Sequence, residues 1–135
     1  MTHLDKKNLL LLNLILGFFA WSDISKLQVP EGFEIQEFVT EIDDARQMVE
    51  GRSYIFVGTK SAGNIYAIDK NNSNKVSIIL TGLDMPTGVA LKDRDLYIAE
   101  TDTIHVVKNI ETKLILNEQI TTEIFFSDLP RKTMW

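Results

Sequence analysis

The sequence predicts an all-β chain, a partial β-propeller of about two to two-and-a-half four-stranded antiparallel blades behind an N-terminal signal helix. Three observations lead there. Short β-rich runs alternate with turn formers from Asp23 onward. Little 3.6-residue periodicity interrupts them. Three successive strand patterns also recur, in the same order, after about 40 residues, the spacing expected of propeller blades.

The strand runs are FEIQEFV (33–39), RQMVE (46–50), SYIFVGT (53–59), NIYAID (64–69), KVSIILT (75–81), TGVALK (87–92), DLYIAET (95–101) and TIHVVKN (103–109). Ser61-Ala62-Gly63, Asn71 to Asn74, Met85-Pro86 and Asp93 to Asp95 separate them. Strands this short and close argue for antiparallel pairing. The one helix-like stretch, Asp43 to Glu50, is too short to change the class. The repeat lays ARQMVE (45–50) over PTGVAL (86–91) at an offset of 41. It lays YIFVGT (54–59) over LYIAET (96–101) at 42, and IYAID (65–69) over IHVVK (104–108) at 39. The blade-like repeats therefore lie near 45–82 and 86–126. A blade packs both faces against neighbours, so its strands read as apolar runs rather than strict alternation. Gly58 and Gly63 are expected to serve tight turns between strands. Phe125 and Phe126 are expected in the core.

At the N-terminus, Lys6 and Lys7 precede Asn8 to Trp21, which is apolar except for Asn8, Asn13 and Gly17. Fourteen residues reach about 21 Å as a helix, short of a bilayer's roughly 30 Å core. A basic start and an apolar run of this length fit an export signal, residues 1–22, with Ala20-Trp21-Ser22 as the cleavage site. The 23–135 remainder is then periplasmic or extracellular. An uncleaved membrane anchor over residues 8–21, or a buried helix, are the other readings.

Composition excludes several functions. The 135 residues carry a formal net charge of −5, which opposes a nucleic-acid partner. With no cysteine, disulfides, thiolate catalysis and cysteine-based zinc sites are absent. There is no Gly-x-Ser-x-Gly and no phosphate-cradling glycine loop. The segment Asp69 to Asn74 is oxygen-rich but lacks calcium-loop spacing, and reads as a β-turn.

With the blades in view, further residues carry a resemblance. Val29-Pro30-x-Gly32-Phe33, Leu83-x-Met85-Pro86-x-Gly88-Val89-Ala90 and Leu96-Tyr97-Ile98-Ala99-Glu100 resemble the start of the glucose/sorbosone dehydrogenase family. The likeness runs from about Leu27 to Pro130. It implies an exported sugar dehydrogenase that uses pyrroloquinoline quinone (PQQ) and calcium on a six-bladed propeller. Members continue from an Asp-Leu-Pro segment, here Asp128-Leu129-Pro130, into a His-Gly-Trp stretch whose His is the family's base. Here Arg131 to Met134 and Trp135 follow, with no His. The expectation is a chain holding roughly two blades of six and the start of a third, without the catalytic residue, the later cofactor contacts or the calcium ligands.

Residue by residue, no catalytic group emerges. Oxidation of a sugar hydroxyl needs a general base near neutrality, which histidine provides. His3 leaves with the signal. His105 reads as a solvent-facing or edge-strand residue, and one remaining histidine argues against a His-based metal site. Arg46 could pair with a cofactor carboxylate, and Glu100, at a strand end, could meet a cofactor or metal. The plainer readings are an ion pair between blades for Arg46 and, for Glu100, a carboxylate accepting backbone or Arg hydrogen bonds. The alternative to an enzyme fragment is a small exported β-module that binds a ligand or a partner, with self-association through exposed blade faces.

Overall fold

The computed structural model describes residues 26–130, so the expected signal and the segment from Arg131 to Trp135 lie outside the described residues. The chain divides into two compact units, Met1–Glu37 and Phe38–Trp135. In the first, residues 30–33 form a turn. The Phe33 N–H donates to the Pro30 carbonyl at 3.1 Å, and Gly32 takes φ 86°, a left-handed value open to glycine. Residues 33–39, expected as a strand, join no sheet: alternation alone does not make a strand where no neighbouring backbone accepts its hydrogen bonds.

Among its described residues the second unit holds eight strands in two antiparallel sheets. Sheet I is β1 (Ala45–Glu50), β2 (Tyr54–Thr59), β3 (Ile65–Asp69) and β4 (Lys75–Leu80), in that spatial order. Sheet II is β5 (Gly88–Lys92), β6 (Asp95–Ala99), β7 (Ile104–Val107) and β8 (Glu123–Phe126), also in sequence order. The fold is therefore all-β, with a single short helix, α1 (Ile110–Ile115), among the described residues.

The helix and β8 differ from the sequence expectation. A helix of six residues shows less than two turns of periodicity, so nothing in the pattern announces it. It forms because Ile110, with no exposed surface, and Leu114, four residues on, both pack into the core. Phe125 and Phe126 sit on the edge strand β8, 60% and 51% exposed, and are not core residues.

The two sheets meet through their first strands. β1 and β2 lie against β5. Gly88 at the start of β5 sits beside Gln47 of β1, and Leu91 near its end lies beside Gly51, just past β1, so the two strands run in the same direction. Between the sheets, Phe56, Ile65 and Ala67 of sheet I meet Val89, Leu96, Ile98 and Val107 of sheet II. A second cluster, Val57, Tyr66 and Ile68, lies on the other face of sheet I, with Ile55 and Val76 of the same sheet and Val39 and Ile42 packed against it.

The cross-strand registers repeat between the sheets. Val49, Phe56 and Ala67 stand side by side on one face of sheet I. Ala90, Tyr97 and Val106 do so in sheet II, at offsets of 41, 41 and 39. Met48, Val57 and Tyr66 correspond in the same way to Val89, Ile98 and His105. The second strand thus aligns at 41, not at the 42 expected from the sequence. One residue of slip exchanges the two faces of a strand, and only 41 keeps Phe56 and Tyr97 on corresponding faces. Gly58 lies inside β2 rather than in a turn: a Cβ there would stand 2.5 Å from the Pro86 carbonyl oxygen and 2.9 Å from that of Thr87. Its missing side chain lets the start of β5 approach.

Candidate functional site

Glu100 and His105, two residues with side chains capable of chemistry, come together at the turn from β6 into β7. Glu100 follows β6, and the Glu100 N–H donates to the Thr103 carbonyl at 2.8 Å, closing a tight loop. The two Glu100 carboxylate oxygens are divided. Oε1 accepts the Asp84 N–H at 2.9 Å, tying this loop to the connection between the sheets. Oε2 stands 3.0 Å from His105 Nε2. A carboxylate accepts, so Nε2 is the donor of this pair.

His105 is neither on an edge strand nor open to solvent. It sits on β7, flanked by β6 and β8, with its side chain only 15% exposed. Its place corresponds to Tyr66 in sheet I, a buried position. His105 Nδ1 is buried and has no hydrogen-bond partner. An imidazole with one nitrogen held by a carboxylate and the other enclosed cannot reach a substrate proton in this geometry. The pair holds a loop in place and presents no open base.

Arg46 lies on β1 with half its side chain exposed, and its guanidinium pairs with the neighbouring Asp44 at 3.4 Å rather than with the second sheet. Asp44 also accepts the N–H groups of Ser61 and Ala62, fastening the β2–β3 turn to the start of β1. Arg46 and Glu100 sit in separate sheets and share no contact in the described hydrogen bonds and ion pairs. At Asp69 to Asn74 the oxygens serve the backbone. The Asn71 N–H donates to Asp69 Oδ1 at 2.9 Å and the Lys75 N–H to the Asn72 carbonyl at 2.9 Å, with Ser73 and Asn74 left-handed. Among the described residues no group of three or more histidines or carboxylates could hold a metal ion.

Sequence reasoning missed Glu111. Its Oε1 accepts the Ser53 N–H at 2.8 Å and the Tyr54 N–H at 3.1 Å, so α1 of the second repeat clamps the β1–β2 hairpin of the first. A lone Glu in an unrecognised helix carries no sequence signal for this. Nearby, burial raises the Tyr54 phenol above its ordinary value, and the Asp69 and Glu111 carboxylates add to the shift. Asp95 likewise accepts from Lys108 at 2.8 Å and from the Asn109 N–H at 3.0 Å. The Lys108 hydrogen bond, then that of Asn109, lowers the Asp95 carboxyl, while the Asp95 hydrogen bond raises Lys108.

Against known proteins, the chain is similar to an uncharacterized protein of Borreliella burgdorferi, 32% identical over 92 residues, which are 67% of this chain and 24% of that protein. The chain thus spans about a quarter of the length of the curated relative it matches. No family model matches, and no solved structure matches. No helix among the described residues is long and apolar enough to cross a membrane.

Proposed function

We propose that this chain is the opening, scaffold part of a β-propeller resembling the PQQ-dependent glucose/sorbosone dehydrogenases, and that it does not oxidise sugars by itself. The observation that carries the reading is the repeated register. Two sheets of four strands in sequence order, with first strands side by side and in the same direction and faces in the same sense, support a reading as neighbouring blades. A two-fold sandwich would instead turn corresponding faces toward each other. The longer relative, three-quarters of whose length lies outside the matched stretch, is long enough for further blades.

Within this reading, the residues of this chain do not fit the family's cofactors. Glu100 has both oxygens engaged, Arg46 is held by Asp44, and His105 offers only an enclosed nitrogen. PQQ, calcium and the sugar belong to a completed ring. What this chain contributes is a rigid wall: a core between two sheets, with the Glu100–Asp84 and Glu111–Ser53 links fixing one repeat to the next. Export through residues 1–22 is part of the same proposal.

Dye-linked oxidation of glucose and sorbosone, with PQQ and calcium added, tests the catalytic half. No turnover by this chain alone is expected, and turnover would overturn it. Reading the DNA beyond the codon for Trp135 tests the ring: a frame with a His-Gly-Trp stretch and further four-strand repeats is expected, and a continuation without such repeats defeats the ring.

A further inference from the structure

We infer that the cleft between sheet I and the stretch from α1 to Ile120 binds a small zwitterion with an apolar side chain, an amino acid or a dipeptide. The inference is independent of the ring and of its chemistry. Every residue lining the cleft belongs to β2, β3, β4, the β3–β4 turn or the stretch Leu114 to Ile120.

The cleft has a volume of about 490 Å³. Small-ligand sites span roughly 300–1,000 Å³. Ala67, Ile79, Leu114 and Ile120 give it an apolar floor continuous with the core between the sheets. The antiparallel register sets Tyr54, Asp69 and Lys75 in one row across β2, β3 and β4. Ala67 and Ser77 stand side by side in the next row on the same face. The stretch after α1 adds Asn117 and Glu118 to the lining.

The charges select the ligand. Among the described residues, Lys75 Nζ and the Glu118 carboxylate have no hydrogen-bond or ion-pair partner, and Asp69 engages only Oδ1, on the Asn71 N–H. Asp69 and Lys75 are cross-strand neighbours, yet no salt bridge joins them. A simple anion in the cleft would meet two carboxylates, and a simple cation would meet the Lys75 ammonium. A zwitterion answers both signs. Its ammonium group pairs with Asp69 and Glu118 and its carboxylate with Lys75, through charge-assisted hydrogen bonds, the stronger kind. Its apolar side chain covers the floor and leaves water. The Tyr54 phenol feels the same field. Burial, then the Asp69 and Glu111 carboxylates, hold its proton above the ordinary value, so this end of the cleft favours a positive group.

Calorimetric titration of the full chain with the dipeptide Leu-Leu should give a dissociation constant on the order of 0.1–1 mM. Acetylating the peptide removes its ammonium group and amidating it removes its carboxylate, and each change should weaken binding at least about fivefold. Gly-Gly, which has no apolar side chain, should bind at least about tenfold more weakly. Lys75→Gln should weaken Leu-Leu at least about fivefold without weakening the amide, a cycle that assigns the carboxylate to Lys75. Lys92→Gln, on β5 and outside the cleft, should leave both ligands unchanged. Circular dichroism establishes that each variant keeps its strands, and the comparison of capped and free peptides needs no variant. No binding of leucine or Leu-Leu up to about 10 mM, equal binding of free, acetylated and amidated peptide, or equal effects of Lys75→Gln and Lys92→Gln would each overturn the inference. None of these outcomes alters the DNA test of the ring.

Discussion

Replacing Gly58 with alanine probes the contact on which the packing of the two sheets rests. In an ordinary strand this change stabilises by roughly 0.5–1 kcal/mol, because glycine loses more backbone freedom on folding. Here the added methyl would lie 2.5 Å from the Pro86 carbonyl oxygen and 2.9 Å from that of Thr87, where ordinary contact begins at 3.4 Å. Both neighbours are backbone, so relief requires β5 to move by nearly an ångström. That movement would loosen Val89 against Phe56 and Ile98. Overpacking of a core costs about 1–3 kcal/mol, and two carbonyls struck at once place this case in the upper half. The net effect is a loss of about 2 kcal/mol, a fall in melting temperature of roughly 8–16 °C for a domain of this size. Thermal unfolding followed by circular dichroism at 218 nm measures it. A Gly58→Ala protein that melts at or above the parent temperature would refute the close approach of β5 to β2, and with it the side-by-side placement of the first strands.

Other perturbations have equally definite outcomes. Glu111→Ala leaves two part-buried N–H groups, of Ser53 and Tyr54, without their acceptor, and should cost about 2–4 kcal/mol in urea unfolding, with Glu111→Gln falling between it and the parent. Phe56→Ala empties the centre of the core and should cost about 3–5 kcal/mol by the same measurement. The Asp95–Lys108 pair gives stability a pH signature. The Asp95 carboxyl is lower in the folded chain than in the unfolded one, so its contribution is complete above the ordinary carboxylate range and fades as pH falls through the folded value. Lys108 is raised, so its contribution is complete below its ordinary value of 10.5 and fades as pH rises through the folded one. Asp95→Asn should flatten both limbs of a stability–pH curve, and unchanged limbs would refute the pairing. Glu50 is lowered chiefly by its hydrogen bond from Lys70, and Glu50→Gln should remove an acid-side contribution of the same sign.

Seven of the eight strands stand where apolar runs meet turn formers, because β-branched and aromatic residues bounded by Gly, Pro, Asn and Asp specify strand ends locally. Glu123–Phe126 escaped because four residues after a helix carry no alternation to count. The pairing of faces escaped for a different reason. Laying YIFVGT over LYIAET maximises similarity of residue type, and both faces of each strand are apolar, so nothing in composition penalises a slip of one. Only the cross-strand partners decide it: Phe56 stands beside Val49 and Ala67, and Tyr97 beside Ala90 and Val106.

Glu100 and His105 were readable as residues and unreadable as a pair because they meet only through the fold. A carboxylate ending a strand and a histidine five residues later look separable along the chain, one a possible ligand and the other a surface ring. The tight turn closed by the Glu100 N–H and the Thr103 carbonyl folds them together, and His105 falls at the register position of Tyr66, facing sheet I. A polar ring at a position filled by tyrosine in the first repeat needs a partner for its buried N–H, and Glu100 is the acceptor within reach. The carboxylate is then committed to its neighbours: one oxygen to the ring, the other to the Asp84 N–H on the connection from the first sheet. The residue that best resembled a ligand in the sequence is therefore one of the links by which the second repeat is attached to the first.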